Sequence, residues 1–431
     1  MSYKEVKELR KNGQLDDALS MAMQDMANDP DNVWCKRSLF WVLYEYLKKD
    51  ALNGDVMPFF DNLKKIQELE LLNIPEESIA RTNVFRCIKW FLKKISSGKD
   101  LQGINGIADK LFTFAQSFET PKPSEEYSEM IDAFLKVAEV WNGFIGFVEQ
   151  WVFSHFRQDD YHERSIIFPD GKIRRYMSLA ECAYIAYTKA IMKVKDMERM
   201  RSIQPTLDQL ADRKGMDFLG YFNAKLLLSL NADKDDVLEE VMPFVRKKSN
   251  DFWVWQFLSE VFIEDEEKYL ACLLRATHCR TKEEYLPNIR KKLVEYYYQR
   301  EDFPRLKQQL DRYVRFRLEH GYALDSKIQQ IMGDSRIESA TQDASDPIDY
   351  MKITDNIIGK VESKRIEFEG DVVTNKAGTV LFVKSESLFA LIPAKKALGL
   401  SKGDKVRALA EESYDKKRKT NGWVCVKVTK I

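Results

Sequence analysis

The sequence predicts a mainly α-helical, multidomain protein in which a long array of helices precedes a small five-stranded β-barrel. From Tyr3 to about Gly333, apolar residues recur at helical spacing and the turns between the runs are short. In residues 357–431 the period changes to two, in five short runs of alternating residues. This change of period separates a helical body from a β module.

The charge changes at nearly the same place. Residues 364–431 contain 15 Lys and Arg against 8 Asp and Glu, a net charge of +7. Because the whole chain is neutral, the preceding residues carry −7. A basic β module after an acidic helical body indicates that the module meets a polyanion and the body meets something else.

The composition favours a folded cytoplasmic protein. With 431 residues, of which 44% are hydrophobic and 32% charged, the chain can form about two or three domains. The first residues carry charges where a signal peptide is apolar, and the most apolar stretch, residues 140–156, is too short to span a bilayer. The six cysteines form no CxxC pair, which favours reduced core residues over disulfides or a zinc site. We therefore expect no membrane contact.

The helical body shows the spacing of tetratricopeptide (TPR) repeats, which are about 34 residues long. In that motif small residues let two helices cross closely, a glycine turns the chain and a proline ends the second helix. The first match comprises Val6, Leu9, Gly13, Ala18, Ala22 and Pro30, whereas Asp25 stands where the motif has alanine. A second comprises Trp255, Leu258, Phe262, Ala271 and Ala276, and residues 293–313 continue it. These degenerate repeats predict a TPR-like α-solenoid over residues 1–333.

The middle of the body departs from the repeat pattern. Apolar residues from Trp141 to His155 follow one helical stripe, which predicts a single buried helix that includes Trp151. A charged loop over residues 157–175 then interrupts the array and contains a Pro-Asp-Gly turn. Ser178 and Glu181 have the spacing of a capping box, so we expect a new helix to begin there.

The C-terminal part is predicted to be a polar linker, residues 334–356, followed by a barrel domain, residues 357–431. The predicted strands are 368–373, 379–383, 388–392, 405–409 and 423–428, with glycine, proline or Asn-Gly between them. Five short strands suit a barrel of the oligonucleotide-binding (OB) type.

The sequence offers little material for an enzyme. It contains no phosphate-binding GxxxxGK(S/T), no GxGxxG and no GxSxG motif, and its four histidines lie in no recognisable catalytic motif. A metal site could be drawn from Asp159, Asp160, His162, Glu163 and Glu181, although a solvated loop that caps two helices is the simpler interpretation. We expect no catalytic residue, no metal and no cofactor.

The best candidate site is the connection between the last two predicted strands. It contains four successive cations, residues 416–419, flanked by Tyr414 and Trp423. In OB-type barrels this connection and the face of strands 2 and 3 form the usual oligonucleotide surface, where cations contact phosphates and aromatic rings stack on bases. The alternatives are a solvated hairpin loop and, for Trp423, packing in the barrel core.

The barrel domain resembles S1 and cold-shock domains. Residues 370–378 (GDVVTNKAG) match their strand with a Lys-x-Gly turn, residues 388–392 match the third strand, and residues 400–406 match the Gly-Asp-x-Val entry to the fourth. With the helical body and its motifs DY at 160–161, DGK at 170–172 and SLAE at 178–181, the chain resembles the S1/cold-shock-like proteins associated with bacterial TOTE conflict systems. The resemblance implies binding of RNA or single-stranded DNA.

One departure limits what this resemblance implies. Cold-shock domains carry base-stacking aromatic residues directly after the Lys-x-Gly turn, whereas Thr379, Val380 and Leu381 follow it here. Only Phe382 and Phe389 remain nearby, and either could face the core. Contacts to the phosphate backbone are therefore expected to dominate. The predicted nucleic-acid-binding residues are Lys376, Lys384, Phe389, Arg407, Tyr414, Lys416, Lys417, Arg418 and Lys419.

These features predict a non-enzymatic adaptor, in which helical repeats bind a protein partner and the basic barrel binds RNA or single-stranded DNA, within a defence or mobile-element system. The alternative is a pure protein-interaction scaffold with the barrel as a docking or dimerisation module. A metal-dependent nuclease that uses residues 159–163 is a third hypothesis. Salt-dependent nucleic-acid binding separates the first two, and chelator-sensitive cleavage identifies the third.

Overall fold

A computed structural model describes residues 3–98, 102–168, 170–213, 215–343, 345–359, 365–375, 378–393, 397, 399–415 and 420–431. The described chain is mainly α-helical and ends in a closed five-stranded β-barrel, which confirms the predicted fold class. It divides into two compact units, Met1–Lys247 and Lys248–Ile431. The domain boundaries expected at residues 333 and 356 stay predictions. Among the described helices, none combines the length and the apolar character needed to cross a membrane.

The first unit consists of helices and one β-hairpin. Its helices are α1 (Tyr3–Lys11), α2 (Leu15–Asn28), α3 (Val33–Asn53), α4 (Val56–Glu68), α5 (Ser78–Ser96), α6 (Gln102–Gln116), α7 (Glu125–Phe134), α8 (Phe144–Gln150), α9 (Leu179–Lys193), α10 (Met197–Ala211), α11 (Asp217–Ser229) and α12 (Lys234–Lys248). The hairpin, β1 (Arg164–Ile167) and β2 (Ile173–Tyr176), lies between α8 and α9. Residues 157–175, expected as a loop, therefore contain a short 3-10 helix, Gln158–Tyr161, and two paired strands.

The first two helices form the helical hairpin that the repeat spacing predicts. α1 packs against α2, and Gly13 in the turn between them has a φ of 78°, a left-handed conformation that glycine adopts without strain. Ala18 and Ala22 on α2 are fully buried, and their small side chains let the neighbouring helices approach closely. Local sequence therefore determines both the turn and the contact.

The stripe from Trp141 to His155 does not form one helix, so that part of the prediction was wrong. α8 ends just before Trp151, which leaves the helical region (φ −101°, ψ 67°), and a 3-10 helix follows. The hydroxyl group of Tyr127 donates to the carbonyl of Val152 (3.1 Å), which gives this carbonyl a partner outside the helix. The predicted burial is confirmed, because Trp141 and Trp151 are 4% and 6% exposed.

A buried arginine connects separate parts of the first unit. Arg81 on α5 is 1% exposed and donates to Glu126 on α7 from Nε (3.2 Å) and Nη2 (3.0 Å). Its other N–H groups donate to the carbonyls of Leu72 (3.0 Å), Ile74 (2.7 Å) and Pro75 (2.9 Å). The guanidinium thereby satisfies carbonyls between α4 and α5 that would be costly to bury without a partner.

The second unit begins with paired helices. They are α13 (Phe252–Val261), α14 (Glu266–His278), α15 (Pro287–Gln299), α16 (Phe303–Glu319), α17 (Ser326–Met332), α18 (Ser335–Glu338) and α19 (Tyr350–Ile357). α13 packs against α14 and α15 against α16. The stretch expected as a linker includes α18 and most of α19, which pack against α16 and α14 respectively. Its polar composition arises in part from helix caps, because Asp334 and Asp349 accept backbone N–H groups at the starts of these two helices.

Five strands close the barrel: β3 (Arg365–Thr374), β4 (Leu381–Lys384), β5 (Phe389–Ile392), β6 (Lys405–Asp415) and β7 (Thr420–Lys430). Each overlaps a predicted strand. Their order around the barrel is β3-β4-β5-β7-β6, and every neighbouring pair is antiparallel except β5 and β7. This is an OB-like arrangement.

Alternate residues of each strand fill the barrel. The fully buried side chains are small or branched: Val372, Val383, Ala390, Ile392, Val406, Ala408, Ala410 and Cys425. Gly370 lies where β3 meets β4, and a Cβ atom there would be 2.4 Å from the carbonyl oxygen of Lys384. Only glycine permits that close approach of two backbones. The residues between the buried positions face outward and form the surface considered below.

Truncation of Trp151 tests the aromatic core of the first unit. Its ring stacks with those of Tyr127 (5.6 Å between centroids) and Phe147 (5.8 Å). We expect Trp151→Ala to lower the free energy of unfolding by about 3–5 kcal/mol, as for other buried large aromatic residues. Trp151→Phe should cost clearly less, because the indole N–H has no hydrogen-bond partner among the described residues. Urea denaturation measures both, and equal costs would contradict this packing account.

Candidate nucleic-acid interface

Two phenylalanines form an aromatic surface on neighbouring strands of the barrel. The rings of Phe382 on β4 and Phe389 on β5 are stacked, with 4.6 Å between their centroids and 20° between their planes. Phe389 is 52% exposed and lies directly opposite Lys384 in the antiparallel ladder. Phe382 is partly buried, so Phe389 provides most of the accessible ring surface. An exposed aromatic ring beside a cation is typical of surfaces that bind single-stranded nucleic acid.

The strand register explains why this pair faces outward. Val383 and Ala390 point into the barrel, so the residues next to them in sequence point to the other face. The sequence does not determine whether Phe382 and Phe389 belong to the core or to the surface. In the structure, neither is among the buried residues of the barrel. Trp423 packs against the barrel core, in agreement with the core-packing alternative for this residue.

The predicted cations on the described strands face carboxylates. Arg407 on β6 donates to Glu369 on β3 (2.7 Å from Nη2), and Lys384 is paired across the ladder with Asp371. Both members of the Arg407–Glu369 pair are more than half exposed, so the ion pair is weak and can exchange with a phosphate.

Sequence reasoning missed an acidic row on the outer face of β3. Glu367, Glu369 and Asp371 alternate with inward residues, and the last two line an open groove of about 640 Å³ together with Lys384 and Lys405. The signal was present as a period of two in residues 367–371. These carboxylates repel the phosphates of a nucleic acid that runs along β3. We therefore expect phosphate contacts near the aromatic pair and the β6–β7 connection instead.

Five of the nine predicted residues lie outside the described residues: Lys376, Lys416, Lys417, Arg418 and Lys419. The backbone of Tyr414 pairs with Asn421, and the ladder continues to the pair Asp415 and Thr420. The four-cation run therefore follows directly on a paired strand end. The structure brings Phe389 and Lys384 together, and it places Arg407 on β6, the strand on the other side of β3.

Asp160, one of the carboxylates considered as metal ligands, already has protein partners. Asp160 accepts hydrogen bonds from the hydroxyl of Ser128 (2.6 Å) and from the guanidinium and backbone N–H of Arg157. Within the described part of the chain, no group of three or more His, Cys, Asp or Glu side chains could hold a metal ion.

Ser178 begins α9 as predicted, but Glu181 does not complete the capping box. The Ser178 hydroxyl accepts from the backbone N–H of Glu181 (3.0 Å). The Glu181 carboxylate instead accepts from the backbone N–H of Phe218 (2.8 Å), at the start of α11. This side chain is only 2% exposed, and burial raises its pKa to about 7, with a smaller contribution from Asp217.

Comparison with known families gives a match to part of the chain. The model of a family described as a domain of unknown function (DUF7017) matches residues 217–354. The match begins at the first residue of α11 and ends within α19, before the barrel. A search of the curated proteins finds no match.

Replacement of Phe389 tests the aromatic surface. If a base stacks on this ring, Phe389→Ala should lower the affinity for a short single-stranded oligonucleotide by about 5- to 100-fold, the usual loss for one stacked base. Thr429→Ala is a matched control, since Thr429 is exposed on β7. Fluorescence anisotropy provides the measurement, and equal affinities of both variants would remove Phe389 from the interface.

Glu181 predicts an unusual dependence of stability on pH. Its folded pKa of about 7 lies above the ordinary value of 4.5, so the native state binds more protons than the unfolded state between these values. The free energy of unfolding should therefore fall as the pH rises from about 4.5 to about 7. Glu181→Gln removes the charge and keeps an acceptor for the Phe218 N–H. It should stabilise the protein by about 1–3 kcal/mol at pH 8 and by little at pH 4.5.

Urea denaturation at several pH values checks this expectation. The control is Glu198→Gln, an exposed substitution on α10 that should change stability by less than about 0.5 kcal/mol throughout. A stability difference for Glu181→Gln that does not depend on pH would show that this carboxyl group does not titrate in the expected range.

Proposed function

We propose that the protein is a non-enzymatic cytoplasmic adaptor that binds RNA or single-stranded DNA through its barrel and a protein partner through its helices. The observation that carries the nucleic-acid half is the exposed ring of Phe389, stacked on the partly buried ring of Phe382, on an OB-like barrel. The four-cation connection after β6 supports this function, because cations contact the phosphates of a nucleotide while aromatic rings stack on its base.

The chemistry favours binding without sequence readout. Every base has a face that can stack on a phenylalanine ring, and lysine and arginine contact phosphates whatever the base. On the described strands, Lys384 and Arg407 lie opposite carboxylates, which weakens their attraction for phosphates. The connection at 416–419 is the part of this domain where four cations follow one another without an acidic residue.

The resemblances support the same function. TPR-like repeats are protein-binding scaffolds, and S1 and cold-shock domains bind RNA or single-stranded DNA. The paired helices α1–α2, α13–α14 and α15–α16 agree with a repeat array, and the barrel order agrees with an OB-like domain. A place in a bacterial conflict system of the TOTE type is part of the proposal and rests on the sequence motifs.

The second candidate is a protein-interaction scaffold in which the barrel docks onto a partner or a second copy. The acidic row on β3 favours it, because Glu367, Glu369 and Asp371 repel a polyanion. An exposed phenylalanine such as Phe389 would then serve as an apolar anchor instead of a stacking surface.

Salt dependence separates these two functions. The logarithm of the affinity for a single strand should fall with the logarithm of salt concentration, with a slope of about −0.7 for each contacted phosphate. Replacement of residues 416–419 by Ser or Gln should weaken binding for all sequences alike and flatten the slope. Tyr414→Ala should cost affinity and leave the slope unchanged, because stacking releases no counterions.

The measurement is an anisotropy titration with short RNA and DNA oligonucleotides at several salt concentrations. Binding that is absent even at low salt would contradict the adaptor and favour the scaffold. Binding with an unchanged slope in the four-cation variant would place the phosphate contacts elsewhere on the protein.

A further inference from the structure

The hairpin β1–β2 exposes apolar side chains to an unusual degree. Ile166, Ile167 and Ile173 are 52%, 72% and 63% exposed, and Tyr176 is 41% exposed. All four residues of β2 are exposed. Ile167 and Ile173 share one face of the hairpin, whereas Ile166 lies on the other face, opposite Arg174. Isolated two-stranded hairpins are only marginally stable, and exposed apolar side chains that lie together are typical of an interaction surface.

The hairpin is attached to the first unit at its base. Arg164 donates from Nε to the carbonyl of Met177 (3.1 Å) and from Nη1 to the Asp132 carboxylate on α7 (3.4 Å). Beyond this base the strands pair mainly with each other, and Ile167 lies directly opposite Ile173. Ile167 and Ile173 therefore lie at the end of the hairpin opposite to Arg164, the residue that attaches it to the first unit.

Both outer edges of the hairpin are available for pairing. The sheet has two strands only, and within the described residues no backbone hydrogen bond links an outer edge of either strand to another element. Each strand thus has backbone N–H and C=O groups that an added strand would satisfy.

The positive charges on the hairpin favour an acidic partner. The two strands contain Arg164, Arg174 and Arg175 and no acidic residue. Arg174 lies over the ring of Phe168 (4.3 Å), and Arg175 is only loosely paired with Glu163 (4.0 Å). A second copy would bring like charges together, and a lipid surface would not pair with the backbone groups of the strand edges, as an added strand does.

We propose that this hairpin binds an extended acidic segment of a partner protein by strand addition. Apolar residues of the segment would cover Ile167 and Ile173, and the alternating acidic residues would lie on the opposite face, beside Arg164 and Arg174. This deepens the protein-binding half of the proposed function, on which it rests, by naming a surface and the chemistry of its partner.

The test uses the full chain and labelled octapeptides. One peptide alternates valine with glutamate, one alternates valine with lysine, and one is the glutamate peptide with proline at two central valine positions. The glutamate peptide should bind at least about tenfold more tightly than the lysine peptide, and the prolines should abolish binding because they remove backbone donors. Equal binding of all three peptides would overturn the proposal.

Variants then locate the binding on the hairpin. Ile167→Ser with Ile173→Ser should weaken peptide binding by at least about tenfold, and Arg174→Glu with Arg175→Glu should reverse the charge preference. The control is Ile263→Ser, which alters an isoleucine that is 69% exposed outside the hairpin. Circular dichroism checks that each variant is folded. Unchanged peptide binding by the hairpin variants would overturn the proposal.

Three other outcomes would assign the hairpin to a different occupant and overturn the proposal. They are a concentration-dependent dimer that the isoleucine variant abolishes, binding to vesicles of anionic lipid that the same variant abolishes, and loss of oligonucleotide binding in the hairpin variants. Oligonucleotide binding by the wild type reports separately on the barrel. Its absence contradicts the nucleic-acid half of the proposed function, whereas absent peptide binding contradicts the hairpin proposal.

Discussion

Strand register is the constraint on which both candidate surfaces depend. The inward positions of the barrel hold small or branched residues such as Val383 and Ala390, because five strands enclose little space. Phe382 and Phe389 occupy the alternate positions and therefore face outward. In the hairpin, the same alternation places Ile167 opposite Ile173 on one face. A slip of one residue would exchange the two faces of either sheet.

Charge determines what each surface can bind. On the barrel, Arg407 forms an ion pair with Glu369, and Lys384 lies opposite Asp371 in the ladder. The excess positive charge of the domain lies elsewhere, above all at residues 416–419. The hairpin strands themselves contain three arginines and no acidic residue, although Arg164 contacts Asp132 and Arg175 lies 4.0 Å from Glu163. We therefore propose different partners for the two surfaces, a polyanionic strand for the barrel and an acidic peptide for the hairpin.

Local sequence patterns predicted most of the helices and strands. The features that they did not predict depend on contacts between residues far apart in sequence. The alternation in the barrel predicted all five strands, and Gly13 predicted the first turn. The end of α8 could not be predicted, because the carbonyl of Val152 is bound by Tyr127, 25 residues away in sequence. The partner of Glu181 is likewise 37 residues away.

At the candidate site, alternation alone could not say which face of β4 would be buried, since Phe382 and Val383 are both apolar. The hairpin could have been predicted from two four-residue runs on either side of a Pro-Asp-Gly sequence. The arginines in these runs made them look like a charged loop instead of strands.

Crosslinking of the 431-residue chain to nucleic acid tests the central claim most directly. Ultraviolet irradiation with a uridine-rich single strand, followed by mass spectrometry of the peptides, identifies the residues that lie against the bases. We predict crosslinks at Phe382, Phe389 or Tyr414, which high salt should suppress because phosphate contacts hold the strand in place. Crosslinks confined to the helices of Met1–Lys247, or no crosslinks at low salt, would contradict the assignment of nucleic-acid binding to the barrel.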